Sequence, residues 1–442
     1  MKPPQRLPPR QRRQLIVLTV LFGGALTALL ALALAWGADL PALPALLAPL
    51  RRLANPTPPP PPTPSPTDSP EAHIHVFSVP SLGEQPGPTS TPSAYFVYLA
   101  QVAMAHTPTP TLEPLSLPVG WPDAFPGLTR SKLGLHVIRN EDPYIMQFVR
   151  SAHPRVMKAV DDVGWLSDVK AASPGTLTLG RFDGQDESWA ATLDPAVAAQ
   201  RYIAARLERY RLNPGVDYWE GWNEFDPNDD AKLQWYGLFE AERACQMRDL
   251  GLHAAVGGFA YGVPEYAEMA YFMPALEAAR RCGGIFSLHE YNSPTMACGV
   301  NSGVAGIIPG APELGDTLLG YHSLRYRFWY EGYLKPAGIG DLPLVISELG
   351  IAGGTPGSGC NDPGGAGWKG YQDWWVRQGV GLDGPNAYLN TLAWYDAEMQ
   401  KDPYVIGGTI FTAGAIQAHN VWYSMDVHEL INPLAYYVAR QR

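Results

Sequence analysis

Two glutamates, each following a run of aromatic or apolar residues, are the first candidates for chemistry. The run Tyr218 to Trp222 leads into Asn223-Glu224, and the run Pro343 to Ser347 leads into Glu348. Two carboxyl groups can divide acid–base work, because one protonates a leaving oxygen while the other, as a carboxylate, acts from the opposite side. Cleavage of a glycosidic bond requires this division. Alternatively, both have structural roles, Glu224 as an acid in the first turn of a helix and Glu348 in the same way before a loop.

The elements that must position this pair are short apolar runs that alternate with amphipathic helical stretches after Gly120, a pattern typical of βα units. Eight runs are predicted as strands. They are Leu133 to Ile138, Val156 to Val160, Thr176 to Arg181, Asp217 to Trp222, His253 to Phe259, Ile285 to Tyr291, Leu344 to Glu348 and Val405 to Phe411. Helices are predicted near Asp142 to Ala152 and at Pro195 to Leu212, Ala231 to Leu250, Tyr266 to Arg281 and Leu314 to Leu334.

Eight strands in an α/β chain of this length predict a (β/α)₈ TIM barrel, which takes about 250 residues or more. An open doubly wound sheet is the alternative, but no G-x-G-x-x-G turn follows the first strand and no P-loop motif is present. Catalytic groups of a barrel lie at the carboxyl ends of its strands. Glu224 and Glu348 fall there, on the fourth and seventh strands.

Three short motifs in this order resemble the clan A glycoside hydrolases, the 4/7 superfamily of cellulase-like and xylosidase-like barrels, here in a membrane-anchored bacterial type. They are Asn223-Glu224, the sixth-strand run Ser287 to Tyr291, and Glu348. The resemblance covers the chain from about residue 131 onward. It implies a retaining glycosidase with Glu224 as acid/base, Glu348 as nucleophile, Asn223 as partner of the sugar 2-hydroxyl, and Tyr291 bonded to the nucleophile.

The chain also departs from that family. Phe225 stands where many relatives have proline, and Ile410 to Thr412 stands where many have tryptophan. We therefore expect the floor of the sugar site to come from Trp222, Trp394 or Trp422. Trp165, Trp219 and Trp235 are instead expected to pack in the core.

His289 shares one strand face with Ser287 and Tyr291, because side chains alternate along a strand, so it can point into the lumen. It is either a contact to substrate or to a catalytic residue, or a core histidine with satisfied hydrogen bonds.

Three cations, Arg139, Lys158 and Arg181, lie at or near the ends of the first three strands. Each could hold Glu348 ionised or bind a sugar hydroxyl, and each could equally form an ion pair inside the barrel, for instance with Glu220 or Asp161.

The charge of the chain limits the classes of molecule that it is expected to bind. A net charge of -10 and a pI near 5.5 argue against nucleic-acid binding and fit a neutral or polar carbohydrate substrate. We expect no cofactor and no metal: no C-x-x-C or H-E-x-x-H motif is present, although the pair His289-Glu290 leaves a metalloenzyme as an alternative. We expect a monomer. A barrel that has lost activity but still binds glycans at the cell surface is the second class of function.

The four cysteines predict covalent links outside the cytoplasm. Cys298 and Cys360 fall in the loops after the sixth and seventh strands, which should be neighbours at the barrel mouth, so we predict a bond between them. Cys245 and Cys282 either pair or remain buried thiols.

We divide the chain into a basic cytoplasmic tail (1–13), a membrane anchor or signal sequence (14–36), a Pro-, Thr- and Ser-rich linker (37–118) and the barrel (119–442). Leu15 to Trp36 is 22 residues without a charge, close to the roughly 20 that span a bilayer. The basic flank should stay inside, which places the barrel at the cell surface. Cleavage after Ala33-Leu34-Ala35 would instead release a secreted protein.

Overall fold

A computed structural model of the protein describes residues 128–183, 190–225, 229–302, 310–311, 314–353 and 360–441. Eight parallel strands form a closed barrel in which each strand pairs with the next and the last pairs with the first. They are β1 (Leu133–Val137), β2 (Val156–Val160), β3 (Leu177–Arg181), β4 (Tyr218–Glu220), β5 (Ala254–Phe259), β6 (Ile285–Asn292), β7 (Leu344–Ile351) and β8 (Val405–Ala413). The predicted TIM barrel is confirmed, with every strand boundary within three residues of its expected position.

Helices surround the barrel in alternation with its strands. They are α1 (Pro143–Ala152), α2 (Leu166–Ala172), α3 (Pro195–Arg211), α4 (Asp230–Asp249), α5 (Met273–Cys282), α6 (Tyr326–Trp329, continued as a π-helix by Tyr330–Leu334), α7 (Gln372–Arg377), α8 (Gly384–Met399) and α9 (His428–Ala439). Local sequence sets several of their starts. Asp142 and Asp194 cap α1 and α3 by accepting hydrogen bonds from first-turn N–H groups, and proline follows each cap.

Two predicted helices differ from the structure. The segment Leu314 to Leu334 is helical only from Tyr326, and Leu318–Leu319 instead pairs antiparallel with Asn301–Ser302. The backbone N–H groups of Leu324 and Tyr326 donate to buried Glu290, which fixes the helix start late in the segment. The segment Tyr266 to Arg281 is a 3₁₀ helix up to Phe272 followed by α5.

The barrel interior has two layers. The amino-terminal layer is apolar and consists of Val156, Leu177, Leu179, Tyr218, Ala255, Ile285, Val345 and Ile406. Above it lie four buried charged side chains, Lys158, Arg181, Glu220 and Glu348. The main core lies between barrel and helices and includes Trp165 and Trp219, with Trp235 packed against it, as expected. The apolar layer thus closes the barrel below its charged side chains.

Both cysteine pairs are bonded. Cys298 is linked to Cys360, which confirms the predicted bond between the loops after β6 and β7. Cys245 in α4 is linked to Cys282 at the end of α5. Of the two alternatives for this pair, a disulfide or two buried thiols, the structure therefore shows the disulfide.

The anchor and the linker predicted within residues 14–118 lie outside the described residues. Among the helices that the structure does describe, none combines the length and the apolar character needed to cross a bilayer.

Candidate active site

Glu348 lies in the lumen on β7 and is 5% exposed. Its Oε1 is 3.1 Å from Lys158 Nζ and 3.1 Å from Arg181 Nη1, and its Oε2 accepts a hydrogen bond from the Tyr291 hydroxyl at 2.8 Å. Burial opposes ionisation, but attraction to His289, Lys158 and Arg181 outweighs it and holds the pKa of Glu348 well below its usual range. Glu348 is therefore an ionised carboxylate at neutral pH.

The strand β7 continues three residues beyond Glu348, and glycine at position 350 is explained by its surroundings. Gly350 has φ 149°, and a Cβ there would lie 2.6 Å from the Tyr388 hydroxyl. The backbone after Glu348 can therefore pass close to Tyr388 only without a side chain.

Glu224 lies four residues after the end of β4 and is more accessible than Glu348, with 38% of its side chain exposed. Its backbone has φ 48°, which is uncommon for a residue other than glycine, and its N–H donates to the carbonyl of Gly258 at 2.8 Å. This conformation and hydrogen bond fix where the Glu224 side chain leaves the backbone at the barrel mouth.

The two carboxylates meet at His289. Its Nδ1 is 3.1 Å from Glu224 Oε1 and 3.6 Å from Glu348 Oε2, and one oxygen of each glutamate and this nitrogen all lie within 4.8 Å of one another. His289 is therefore a contact to both candidate catalytic residues. Its Nε2 is buried and has no hydrogen-bond partner among the described residues.

The oxygen separation bears on the chemistry available. Retaining glycosidases place their carboxyl groups roughly 5 to 5.5 Å apart, whereas inverting enzymes leave roughly 6.5 to 9.5 Å for a water molecule. The nearest carboxylate oxygens of Glu224 and Glu348 lie within 4.8 Å of each other.

The sequence left two roles open for the three cations, a contact to Glu348 or an ion pair inside the barrel. Lys158 and Arg181 have both roles, because each contacts Glu348 and also the buried carboxylate of Glu220, at 2.8 and 3.4 Å respectively. Arg181 further binds Asp183 at 2.8 Å. Arg139 is exposed and lines the cleft described next.

An open cleft of about 930 Å³ lies over the two glutamates at the barrel mouth. Among its lining residues are Asn223, Glu224, Glu348, Arg181 and Tyr291, so these five expected site residues come together.

The three tryptophans expected at the sugar site lie in different places. Trp422 lines the cleft, is 45% exposed and meets Phe411 edge to face at 5.1 Å between ring centroids. Trp222 instead stacks on Phe239 of α4 at 4.3 Å, and Trp394 of α8 packs against the outer core. The structure thus does not bring Trp222 or Trp394 to the cleft, because the chain turns after β4 and directs Trp222 toward the helices.

Sequence reasoning missed His136 and Tyr261. His136 on β1 is fully buried, lines the cleft and has its Nδ1 3.5 Å from Glu348 Oε1. Burial and the neighbouring Lys158 lower the pKa of His136 well below its usual value, so it is neutral. A histidine inside an otherwise apolar strand was the available signal. Tyr261, after β5, also lines the cleft and meets Tyr291 edge to face, with 5.8 Å between the ring centroids.

Among the described residues, the one group that could supply three metal ligands is Glu224, His289 and Glu348. Lys158 and Arg181 already occupy Oε1 of Glu348, and their positive charges oppose a metal ion beside it.

No family model matches the chain, and no curated protein matches it. Solved structures with a similar chain path include an endo-β-1,4-mannanase from Thermotoga petrophila (13% identity, TM-score 0.38, covering 70% of this chain and 77% of that one). Others are a family 5 xyloglucanase from Paenibacillus pabuli (12%, 0.35, 67% and 90%) and a β-porphyranase of glycoside hydrolase family 86 from Bacteroides plebeius (16%, 0.37, 68% and 52%). At these identities and TM-scores, the likeness does not assign a function to this chain.

Proposed function

We propose that the protein is a retaining O-glycoside hydrolase, with Glu224 as acid/base and Glu348 as nucleophile. The observation that carries this proposal is the pair itself: two carboxylates, one after β4 and one on β7 of the same barrel, with oxygens within 4.8 Å, facing an open cleft. Their unequal surroundings support unequal roles. Glu348 is buried and held ionised by two cations, whereas Glu224 is exposed to the cleft.

In the first step, an oxygen of Glu348 attacks the anomeric carbon and forms an ester with the sugar. The bond to the leaving oxygen breaks, and Glu224 transfers its proton to that oxygen so that a neutral alcohol departs. Oε2 is suited to this attack, because Oε1 accepts hydrogen bonds from the cations Lys158 and Arg181, whereas Oε2 accepts one from the neutral hydroxyl of Tyr291.

In the second step, Glu224 is a carboxylate and removes a proton from water. The resulting hydroxyl attacks the anomeric carbon, the ester breaks, and Glu348 is regenerated. Asn223, exposed in the cleft beside Glu224, is the proposed partner of the sugar 2-hydroxyl, and Trp422 is the proposed stacking surface. A neutral poly- or oligosaccharide fits this mixed polar and aromatic wall.

The proposed place of action is outside the cytoplasm, at the cell surface or secreted, with the chain acting as a monomer. Two disulfides in the barrel support an oxidising compartment. The basic residues 1–13 and the uncharged segment 14–36 supply the proposed anchor. N-terminal sequencing of the mature protein, with fractionation of the cells, separates an anchored protein from a cleaved one.

The experiment that tests the activity is a screen of aryl glycosides and soluble glycans, with the anomeric configuration of the first product followed by NMR. Retention, together with a covalent adduct on Glu348 from a 2-deoxy-2-fluoro glycoside, is the expected result. Product of inverted configuration would overturn the assigned roles. Glycan binding without product would favour the glycan-binding barrel.

A further inference from the structure

Glu220 is a buried carboxylate that the proposed mechanism does not use. It lies on β4, is 3% exposed and points into the lumen. Its Oε2 is 2.8 Å from Lys158 Nζ and 3.4 Å from Arg181 Nη1, and its Oε1 accepts a hydrogen bond from the Ser287 hydroxyl at 2.7 Å. Burial disfavours its ionisation, but attraction to Lys158 and Arg181 prevails and holds the pKa of Glu220 well below its usual range.

The two cations are shared between two carboxylates. The same nitrogen of Lys158 and the same nitrogen of Arg181 contact one oxygen of Glu220 and one oxygen of Glu348. Two positive and two negative groups therefore form a closed square with no net charge. Neither carboxylate has a cation to itself.

We propose that Glu220 is a positioning residue for the nucleophile: it holds Lys158 and Arg181 in place and cancels one of their charges, so that Glu348 reacts in an electrically neutral interior. The inference rests on the proposed glycosidase function and adds to it a residue that touches neither sugar nor Glu348.

The reaction makes this neutrality matter. The transition state of glycoside cleavage is oxocarbenium-like and develops positive charge at the sugar. An uncompensated cation beside Glu348 repels that charge and also makes the carboxylate a weaker nucleophile, because its negative charge is more strongly stabilised. Without Glu220, Glu348 is the one carboxylate left in the square for both Lys158 and Arg181, so the square itself carries one excess positive charge. Asp183 pairs with Arg181 only from its partly exposed outer side.

Other titratable groups face the square, and none of them is substituted in the variants of the test. His136 on β1, His289 and Tyr291 on β6, and Glu224 after β4 surround Glu348, while Asp183 binds Arg181 from its outer side. Differences in kcat and in the pH profile between the variants therefore report the charge balance between Glu220 and Lys158.

The test is a charge cycle of Glu220→Gln, Lys158→Met and the double variant. Glu220→Gln leaves a net positive charge, and kcat should fall about 10- to 100-fold. Lys158→Met leaves a net negative charge, and the acidic limb of the pH profile should move to higher pH. The double variant is neutral, and it should be at least about tenfold more active than the product of the two single effects predicts.

The matched control is Glu240→Gln, which breaks the buried pair of Glu240 with Arg243 on α4, outside the lumen. It should lower the melting temperature without moving the pH profile. Should Glu220→Gln fail to fold, the neutral double variant remains informative against Lys158→Met alone. Additive losses, with the double variant no better than the product of the singles, would overturn the proposal.

A carbon-13 NMR titration of the Glu348 carboxyl separates this proposal from the proposed activity. On the Lys158→Met background, adding Glu220→Gln should lower the pKa of Glu348 by about one unit or more, whether or not any glycan is cleaved. If the pKa of Glu348 is the same in both variants, the proposed role of Glu220 is wrong, even if the enzyme is active. If the pKa shifts but the protein cleaves no glycan, the role of Glu220 in charge balance is supported and the proposed glycosidase function is wrong.

Discussion

Tyr291 donates its hydroxyl to Oε2 of Glu348 at 2.8 Å, so the oxygen proposed to attack carries a hydrogen bond from a neutral donor. Lys158 and Arg181 hold the other oxygen, at 3.1 Å each. The two oxygens of this carboxylate thus have different surroundings, and in the proposed mechanism Oε1 anchors the side chain while Oε2 attacks the sugar.

Replacing Tyr291 by phenylalanine should therefore remove one hydrogen bond to Glu348 and leave the carboxylate itself in place. A hydrogen bond to a charged group is worth about 1.5 to 3 kcal/mol, so kcat/KM should fall roughly 10- to 100-fold. The lost donor stabilised the ionised form, so the pKa of Glu348 should rise and the acidic limb should move to higher pH. Tyr330→Phe, which removes a buried hydroxyl bonded to the carbonyl of Leu342, is the control that should leave the profile unmoved.

Replacing Glu224 by alanine should separate the two steps. Aryl glycosides with good leaving groups need no proton, so their first step should persist and the glycosyl-enzyme should accumulate as a burst. Substrates with poor leaving groups should lose about 10²- to 10⁴-fold in rate. Azide should restore turnover by attacking the ester in place of water, and rescue that failed on trapped enzyme would count against Glu224 as the base.

Acid should destabilise the barrel through Glu220 and Glu348. Both have folded-state pKa values below the ordinary glutamate value of about 4.3, so the unfolded chain binds more protons in acid. Their stabilisation is present above that pH and is lost as the pH falls through the lowered values. Melting temperatures between pH 7 and pH 3 should drop less steeply in the Glu220→Gln/Lys158→Met variant than in the native protein.

Trp422 should contribute to substrate binding and Trp394 should not. Truncating Trp422 to alanine removes an aromatic surface worth about 0.5 to 1.5 kcal/mol and should raise KM about two- to tenfold, with a smaller change in kcat. Trp394→Ala should reduce stability and leave KM unchanged, since Trp394 packs on the outside of the barrel. Equal KM values for Trp422→Ala and native protein would argue against stacking at this wall.

The two disulfides should differ in their effect on activity. Each closes a loop long enough that its loss should cost about 2 to 4 kcal/mol. Only Cys298→Ser releases the loops that follow Tyr291 and Glu348, so it should lower both the melting temperature and kcat. Cys245→Ser, between α4 and α5, should lower the melting temperature alone.

Sequence predicted those parts of the fold that depend on local pattern. The apolar runs of β1 to β8 and the acids after β4 and on β7 were visible because alternation and strand-end position are local signals. The late start of α6 was not visible, because buried Glu290 fixes it through the backbone of Leu324 and Tyr326 across the fold.

The charged square and the aromatic wall needed the structure for a different reason. Lys158 and Arg181 had two readings, since contact across a lumen depends on the register of strands that are not neighbours. Trp222 lies next to the candidate catalytic pair Asn223-Glu224 in sequence, yet the short strand β4 ends before it, and its side chain packs on α4. Proximity in sequence was a poor guide to which tryptophan lines the cleft.

The bond between Cys298 and Cys360 makes a covalent ring of chain that contains the whole of β7, and Glu348 with it. A protease that cuts one peptide bond inside this ring leaves two pieces still joined by sulfur. Nicked protein should therefore migrate as one chain until it is reduced, and β7 with Glu348 should stay paired with β6 and β8.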